Sequence, residues 1–117
     1  MTEDELLQRT KRFGLAILRL VDRLPNTVAG RAVAGQLVRC GTSVGANYRA
    51  ACRGRSKREF VAKLGVVEEE ADESAYWLEL IADSQLLDPT ELRPIYAEAQ
   101  SIRKIMARSR MTASNRK

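Results

Sequence analysis

"FVAKLGVVEEEADESAYWLELI" occupies residues 60–81. Its inward candidates, Phe60, Leu64, Val67, Ala71, Ser74, Leu78 and Ile81, recur at alternating steps of four and three, while Glu68, Glu69, Glu70, Asp72 and Glu73 fill the positions between. Such spacing puts one stripe along one face of an α-helix and is incompatible with a strand, whose faces alternate every second residue. A helix this long with an apolar face needs neighbours to cover it. Just upstream, Ser56-Lys57-Arg58-Glu59 has the Ser-x-x-Glu spacing of a capping box. In that motif Ser56 accepts from the third backbone N–H and Glu59 reaches back to the amide of Ser56, so the helix starts near Lys57.

Three more stripes flank this one. Leu6, Thr10, Phe13, Ile17, Leu20 and Leu24 predict a helix from about Asp4 to Leu24, stopped by Pro25-Asn26. Val33, Leu37, Cys40, Val44, Asn47 and Ala51 predict a second, closed by Gly54 in the left-handed position past its end. Leu92, Ile95, Ala99, Ile102 and Met106 predict a fourth. Asp88-Pro89-Thr90-Glu91 repeats the capping arrangement, but Pro94 favours a start two or three residues later, which would leave that proline in the first turn. Alternating β-branched runs and Asn-Gly or Asp-Gly hairpin signals are missing. The fold class is all-α: short links between long helices make each antiparallel to the next, giving an up-down-up-down four-helix bundle. The bundle is expected over residues 1–110, with a flexible basic tail over 111–117.

Composition limits what the bundle can do. The chain has 117 residues, enough for one domain, and 44% hydrophobic with 30% charged residues is too apolar for wholesale disorder. No apolar run approaches the roughly 18 residues that cross a bilayer, and the opening "MTEDELLQRT" is acidic where a signal peptide would be basic, so a cytoplasmic protein with no membrane partner is expected. Histidine is absent, which removes Ser-His and Cys-His nucleophile systems and the Glu-x-x-His sites of di-iron bundles. Cys40 and Cys52 would stand about 18 Å apart on one helix, too far for a disulfide, and read as small buried residues in a reducing compartment. Catalytic residues, metal and cofactor are expected to be none.

Two features of residues 40–60 break local rules. Gly41, Thr42, Ser43 and Gly45 lower helix propensity in mid-helix, each glycine by about 1 kcal/mol relative to Ala. Small residues let another backbone approach, and Ser or Thr can bond back to the preceding turn. The readings are a tight crossing inside the bundle or a kink that shapes a subunit contact or ligand cleft. Asn47, on the expected buried stripe, would need a hydrogen bond that fixes register. The second feature is charge. Arg39, Arg49, Arg53, Arg55, Lys57, Arg58 and Lys63 stand against Glu59 alone between residues 39 and 63. Residues 64–98 then hold ten acids against Arg93, and the end of the chain adds Arg103, Lys104, Arg108, Arg110, Arg116 and Lys117 with no acid.

Lys57 and Arg58 fall in the first turn of a helix, where the macrodipole is positive and each base is disfavoured by about 0.3–1 kcal/mol at low salt. Arg49, Arg53, Arg55, Lys57 and Arg58, with Arg103, Lys104, Arg108 and Arg110 in support, could neutralise phosphates of RNA or another nucleic acid. They could equally meet an acidic protein surface, including Glu69, Glu70 and Glu73 of a neighbouring copy, or stay solvated. Antiparallel pairing about Arg55 would instead set Arg39 level with Glu70 inside one chain. Tyr48 alone among the exposed-type aromatics lies near the basic turn, so no stacking platform for single strands is evident.

Residues 36–81 also carry a resemblance. Gln36-Leu37-Val38-Arg39, Ser43-Val44-Gly45-Ala46-Asn47, Arg53-Gly54-Arg55-Ser56, Glu59-Phe60 and Trp77-Leu78-Glu79 are similar to the pattern of the 23S rRNA intervening-sequence proteins. Two departures stand out: Gly45 where many members have Pro, and Ala51-Cys52 where they have an acidic-Gly pair, so no role of that carboxylate transfers. The resemblance implies four-helix bundles that assemble as homo-oligomers, namely pentameric barrels, without an established enzymatic activity. It also points to a related branch, the accessory proteins of diversity-generating retroelements, which partner a reverse transcriptase and its nucleic acid.

Overall fold

The computed structural model describes residues 1–116; Lys117, the last base of the expected tail, lies outside the described residues. Four helices run in sequence: α1 (Glu3–Val21), α2 (Val28–Cys52), α3 (Lys57–Asp83) and α4 (Pro89–Asn115). They form the antiparallel four-helix bundle that the stripes predict, an elongated body of 50 × 21 × 19 Å.

Each start has a chemical cause. Thr2 and Glu5 make a complete capping box on α1, with the Glu5 amide donating to Thr2 Oγ1 at 3.1 Å and the Thr2 amide to Glu5 Oε1 at 3.4 Å. Thr27 caps α2 by accepting from the Gly30 amide at 3.0 Å. Ser56 caps α3 by accepting from the Glu59 amide at 3.1 Å. Glu59 does not return to Ser56 as expected; its carboxylate accepts from the Arg55 amide at 2.7 Å, one residue further out.

Several boundaries differ from the sequence reading. α1 stops at Val21 rather than Leu24, and the chain leaves through a turn in which Leu24 donates to the Val21 carbonyl at 3.1 Å. Pro25 disfavours the helical conformation for Leu24, which accounts for the earlier exit. α4 starts at Pro89, with Asp88 accepting from the Thr90 amide at 2.9 Å, so Pro94 sits inside the helix instead of in its first turn. The proline gives up one bond, to the Thr90 carbonyl. Thr90 and Pro94 both lie on the exposed face, where water can take that carbonyl. α4 also continues through residues 111–115, the stretch read above as a tail.

Gly54 is not left-handed. Its amide closes a turn onto the Ala51 carbonyl at 3.0 Å, and the left-handed residue among the described ones is Gln85, with φ 59°. Gln85 ends α3 in a Schellman motif: Leu86 donates to Ile81 and Gln85 to Ala82, both at 3.1 Å.

The core follows the stripes. Phe13, Ile17, Leu37, Val44, Leu64, Val67, Leu78, Ile81, Ile102 and Met106 are fully enclosed. Two polar side chains join them and are satisfied within their own helices: Thr10 donates to the Leu6 carbonyl and Ser74 to the Glu70 carbonyl, each at 2.8 Å. Asn47 is a correction. It is half-buried and donates to the Ser43 carbonyl of its own helix at 2.9 Å, so it fixes no register between helices; Tyr48 takes the inward place.

Consecutive helices pack along their lengths, whereas α1 and α4 meet over a short seam and no Cα of α1 comes within 8 Å of one in α3. Small residues set the α1–α2 distance. A Cβ on Gly41 would lie 2.7 Å from Ile17 Cγ1, and one on Gly45 would lie 3.2 Å from the Thr10 carbonyl oxygen. Thr42 and Ser43 bond back to the carbonyls of Val38 and Arg39 at 2.6 and 2.7 Å.

Three substitutions test this backbone. Gln85→Gly should raise the urea-unfolding free energy by about 0.5–1 kcal/mol, left-handed strain being relieved at some cost in chain entropy. Gly41→Ala should lower it, because overpacking of about 1–3 kcal/mol against Ile17 exceeds the helix-propensity gain of about 1 kcal/mol. At the open site of Gly35, where an added Cβ meets nothing, the same change should stabilise.

Candidate nucleic-acid interface

The acids of α3 are flanked by arginines on both sides. From α2, Arg39 pairs with Glu70 at 3.4 Å and with Glu73. Glu73 also accepts from Trp77 Nε1 at 3.3 Å. From α4, Arg110 donates through Nε and a terminal nitrogen to Glu68 at 3.1 and 2.9 Å, and Arg103 stands 3.9 Å from Asp72. Arg9 spans the thin α1–α4 seam, donating to both oxygens of Glu98 at 2.7 Å and to Ser101 at 2.8 Å. The hydrogen bond to Glu98 holds the Arg9 guanidinium above its ordinary pKa.

These pairs divide the expected site residues into two groups. Arg39, Glu70 and Glu73 meet inside one chain, so their pairing needs no neighbour. Arg103 and Arg110, read as support for a polyanion site, are half-buried: Arg110 is held by Glu68 of α3, whereas Arg103 donates to Gln100 of its own helix at 2.9 Å. Their α4 neighbours Lys104 and Arg108 are exposed. Glu69 is exposed and has no cation within 4 Å among the described residues. Gly41, Ser43, Gly45 and Asn47 belong to the α1–α2 packing already described.

The basic turn is left over. Arg49 and Arg53 end α2, Arg55 lies on the link, Lys57 and Arg58 open α3, and all five are exposed. Among the described residues none of their side-chain nitrogens has a carboxylate oxygen within 4 Å. α4 brings one more base to this end: the Lys57 ammonium donates to the Arg116 carbonyl, and both residues border a shallow recess of about 290 Å³ with Gly54, Ser56 and Phe60. The signal for that meeting is length, since α3 and α4 both run 27 residues antiparallel. The first turn of α1 adds Glu3, Asp4 and Glu5 at the same end, set where its own dipole favours acid.

Activated nucleophiles are not in evidence here. Burial pushes the Cys40 and Cys52 thiols up and does the same to the Tyr48 hydroxyl, so all three stay protonated at neutral pH. Stacking surfaces are also elsewhere: Tyr48 is buried, and the edge-to-face pair Tyr76–Trp77 lies in the C-terminal third of α3, far from the basic turn at its start. No described helix is long and apolar enough to cross a membrane. What the end of the bundle offers is an exposed set of guanidinium and ammonium groups suited to phosphate oxygens rather than to base edges.

Comparison with known proteins fits this architecture. The family model described as 23S rRNA-intervening sequence protein matches residues 2–108. A solved structure from Bacteroides thetaiotaomicron, described as a protein with unknown function from the S23 ribosomal protein family, is 28% identical. It covers 95% of this chain and 99% of its own, with a TM-score of 0.85. No curated protein matches the chain.

The cost of the bases at the start of α3 can be measured. Arg58→Glu should stabilise the bundle by about 0.3–1 kcal/mol in low salt, and the gain should shrink as salt screens the dipole. Ser56→Ala should cost about 0.5–2 kcal/mol at any salt, because it removes a cap rather than a charge. Urea unfolding with and without added salt separates the two.

Proposed function

The chain belongs to the 23S rRNA-intervening sequence protein family, and we propose that it serves as a non-enzymatic, self-assembling scaffold in the cytoplasm whose basic end binds RNA through the phosphate backbone. The observation that carries this reading is the unequal fate of the charges. Arg39 and Arg110 are committed to α3 carboxylates and Arg9 and Arg23 to α4 carboxylates, while the five bases clustered at the turn, Arg49, Arg53, Arg55, Lys57 and Arg58, stay exposed and unmatched within the described chain. Two of these bases oppose the dipole of their own helix, a local cost that a surface kept for an anionic partner explains. Backbone contact of this kind is insensitive to sequence and serves equally to hold RNA beside a nucleic-acid enzyme such as a reverse transcriptase.

A second reading is a purely structural module in which copies associate, as a pentamer by the resemblance, without nucleic acid. A side groove lined by the exposed Leu15 and Leu18 favours it.

The RNA reading is tested by filter binding across a salt series. Binding should weaken with salt, with log affinity linear in log salt, and Arg55→Ala with Arg58→Ala should together reduce the slope by about 1.4 on a single strand. Arg110→Ala, which removes a guanidinium held by Glu68, should leave the slope unchanged. Binding that salt does not weaken, or no binding at about 50 mM salt, contradicts the proposal.

A further inference from the structure

Proteins that hold single-stranded RNA combine a basic groove with aromatic rings on which the bases stack. The basic end of this bundle has the charge without the rings. Tyr48 is 4% exposed, and Phe60 is half-buried and packs against the core. Tyr76 and Trp77 stand about 30 Å along α3 from Lys57, and Tyr96 bonds Glu79, further still. No exposed aromatic ring therefore stands at this end among the described residues.

What the end does carry is two ranks of bases. Arg49 and Arg53 are one turn apart at the end of α2, about 6 Å along its axis, and Lys57 and Arg58 are adjacent in the first turn of α3. Packed helices lie about 8–10 Å apart, and Arg55 stands on the link between the ranks. Backbone bonds hold that link: the Gly54 amide donates to the Ala51 carbonyl at 3.0 Å and the Arg55 amide to Glu59 at 2.7 Å. The end is also blunt. The body is 21 × 19 Å across, too wide to enter even the major groove of B-DNA, which is about 12 Å wide. The wide, shallow minor groove of A-form RNA lets a blunt surface lie across it, with a phosphate row on either side.

Acids limit how far a ligand can spread. Glu3, Asp4 and Glu5 stand at the same end on α1, and Glu68, Glu69 and Glu70 follow about three turns along α3. A flexible strand that leaves the turn along the bundle meets carboxylates, whereas a stiff duplex projects past the end. With few contacts available, the charge density of the polymer decides. A double helix releases about 0.9 counterion per neutralised phosphate and a single strand about 0.7. Over the five bases of the turn this difference amounts to about tenfold in affinity at about 0.1 M salt.

We infer that the basic turn holds double-stranded RNA, lying across its minor groove with Arg49 and Arg53 on one phosphate row and Lys57 and Arg58 on the other. The inference rests on the RNA reading above and names the form of the ligand.

Fluorescence anisotropy tests it with an unstructured labelled RNA, alone and annealed to its complement, longer than the roughly 16 base pairs that a duplex-binding domain spans. At about 0.1 M salt the duplex should bind about tenfold tighter than the strand and with the steeper salt slope. A DNA duplex of the same sequence should bind more weakly than the RNA duplex. Arg49→Ala with Arg53→Ala, and separately Lys57→Ala with Arg58→Ala, should each cut the duplex-to-strand ratio to about fourfold or below, since each removes one rank. All four side chains are exposed, so the helical circular dichroism spectrum should not change. A strand or a DNA duplex bound as tightly as the RNA duplex, or a ratio that neither double variant lowers, overturns the inference and leaves salt-dependent RNA binding standing. No binding to either RNA at about 50 mM salt overturns both.

Discussion

The closeness of α1 to α2 at Gly41 and Gly45 is the constraint on which the arrangement rests. α1 holds the bundle mainly through α2, since its seam with α4 is short and fastened by Arg9 to Glu98 and Ser101. If the two backbones stood further apart, Ile17 would lose the enclosure that makes it fully buried, and the first helix would have little else to hold it. Close approach is opposed by helix propensity, because two glycines in mid-helix cost about 2 kcal/mol together relative to Ala. The cost is offset by packing and has a second consequence: Gly45 of α2, together with Gly14 of α1 and Thr42, leaves a groove along the outer seam. One choice of residues thus seats a helix on its inner side and opens a surface on its outer side.

A comparable division governs charge. α3 is the most acidic helix and lies between the arginines of α2 and those of α4, so Glu68, Glu70 and Glu73 are neutralised at short range within the chain. These pairs are partly exposed and individually weak, on the order of 0.2–1 kcal/mol each. Their larger effect is on what remains. They remove Arg39 and Arg110 from the surface available to a partner and leave the α2–α3 turn as the concentrated source of positive potential. They also leave Glu69 and Tyr76 facing outward on the central part of α3. Composition alone reports a net charge of +5, but the folded chain presents a basic end and an acidic flank.

Helix number, order and inward faces were legible from apolar spacing, because burial of one face is a requirement that every turn repeats. Caps were legible where the donor is local, as at Ser56 and Asp88. The misplaced features share a cause: each depends on something outside the window in which it was read. Pro94 is tolerated in α4 because its face meets water, which the sequence around it does not state. Gly54 closes its turn without a left-handed conformation, and Gln85 adopts that conformation with no glycine to announce it. Asn47 gave way to Tyr48 because a stripe read at steps of three and four can be continued by either residue, and the ring rather than the amide fills the interior. The basic site was half legible: clustering marked Arg49 to Arg58, but only tertiary pairing could show that Arg110 was engaged. The groove was legible only as one alternative, a cleft shaped by Thr42 and Gly45; Leu15 and Leu18 fall off the stripe, and its floor is made by two helices.

The placement of Arg58 shows how the competing demands are arranged. A carboxylate at that position would satisfy the α3 dipole, and the cap from Ser56 makes the start of the helix stable enough to bear the opposite charge. Glu59 provides the acid instead, but spends it on the Arg55 amide, tying down the link rather than neutralising a side chain. The turn is therefore fixed by backbone hydrogen bonds while its guanidinium groups remain unpaired. A rigid frame bearing unneutralised bases lowers the ordering cost of meeting phosphates, since the backbone that carries the charges is already set. Stability is drawn from the backbone of this turn and recognition from its side chains, so the two can change independently.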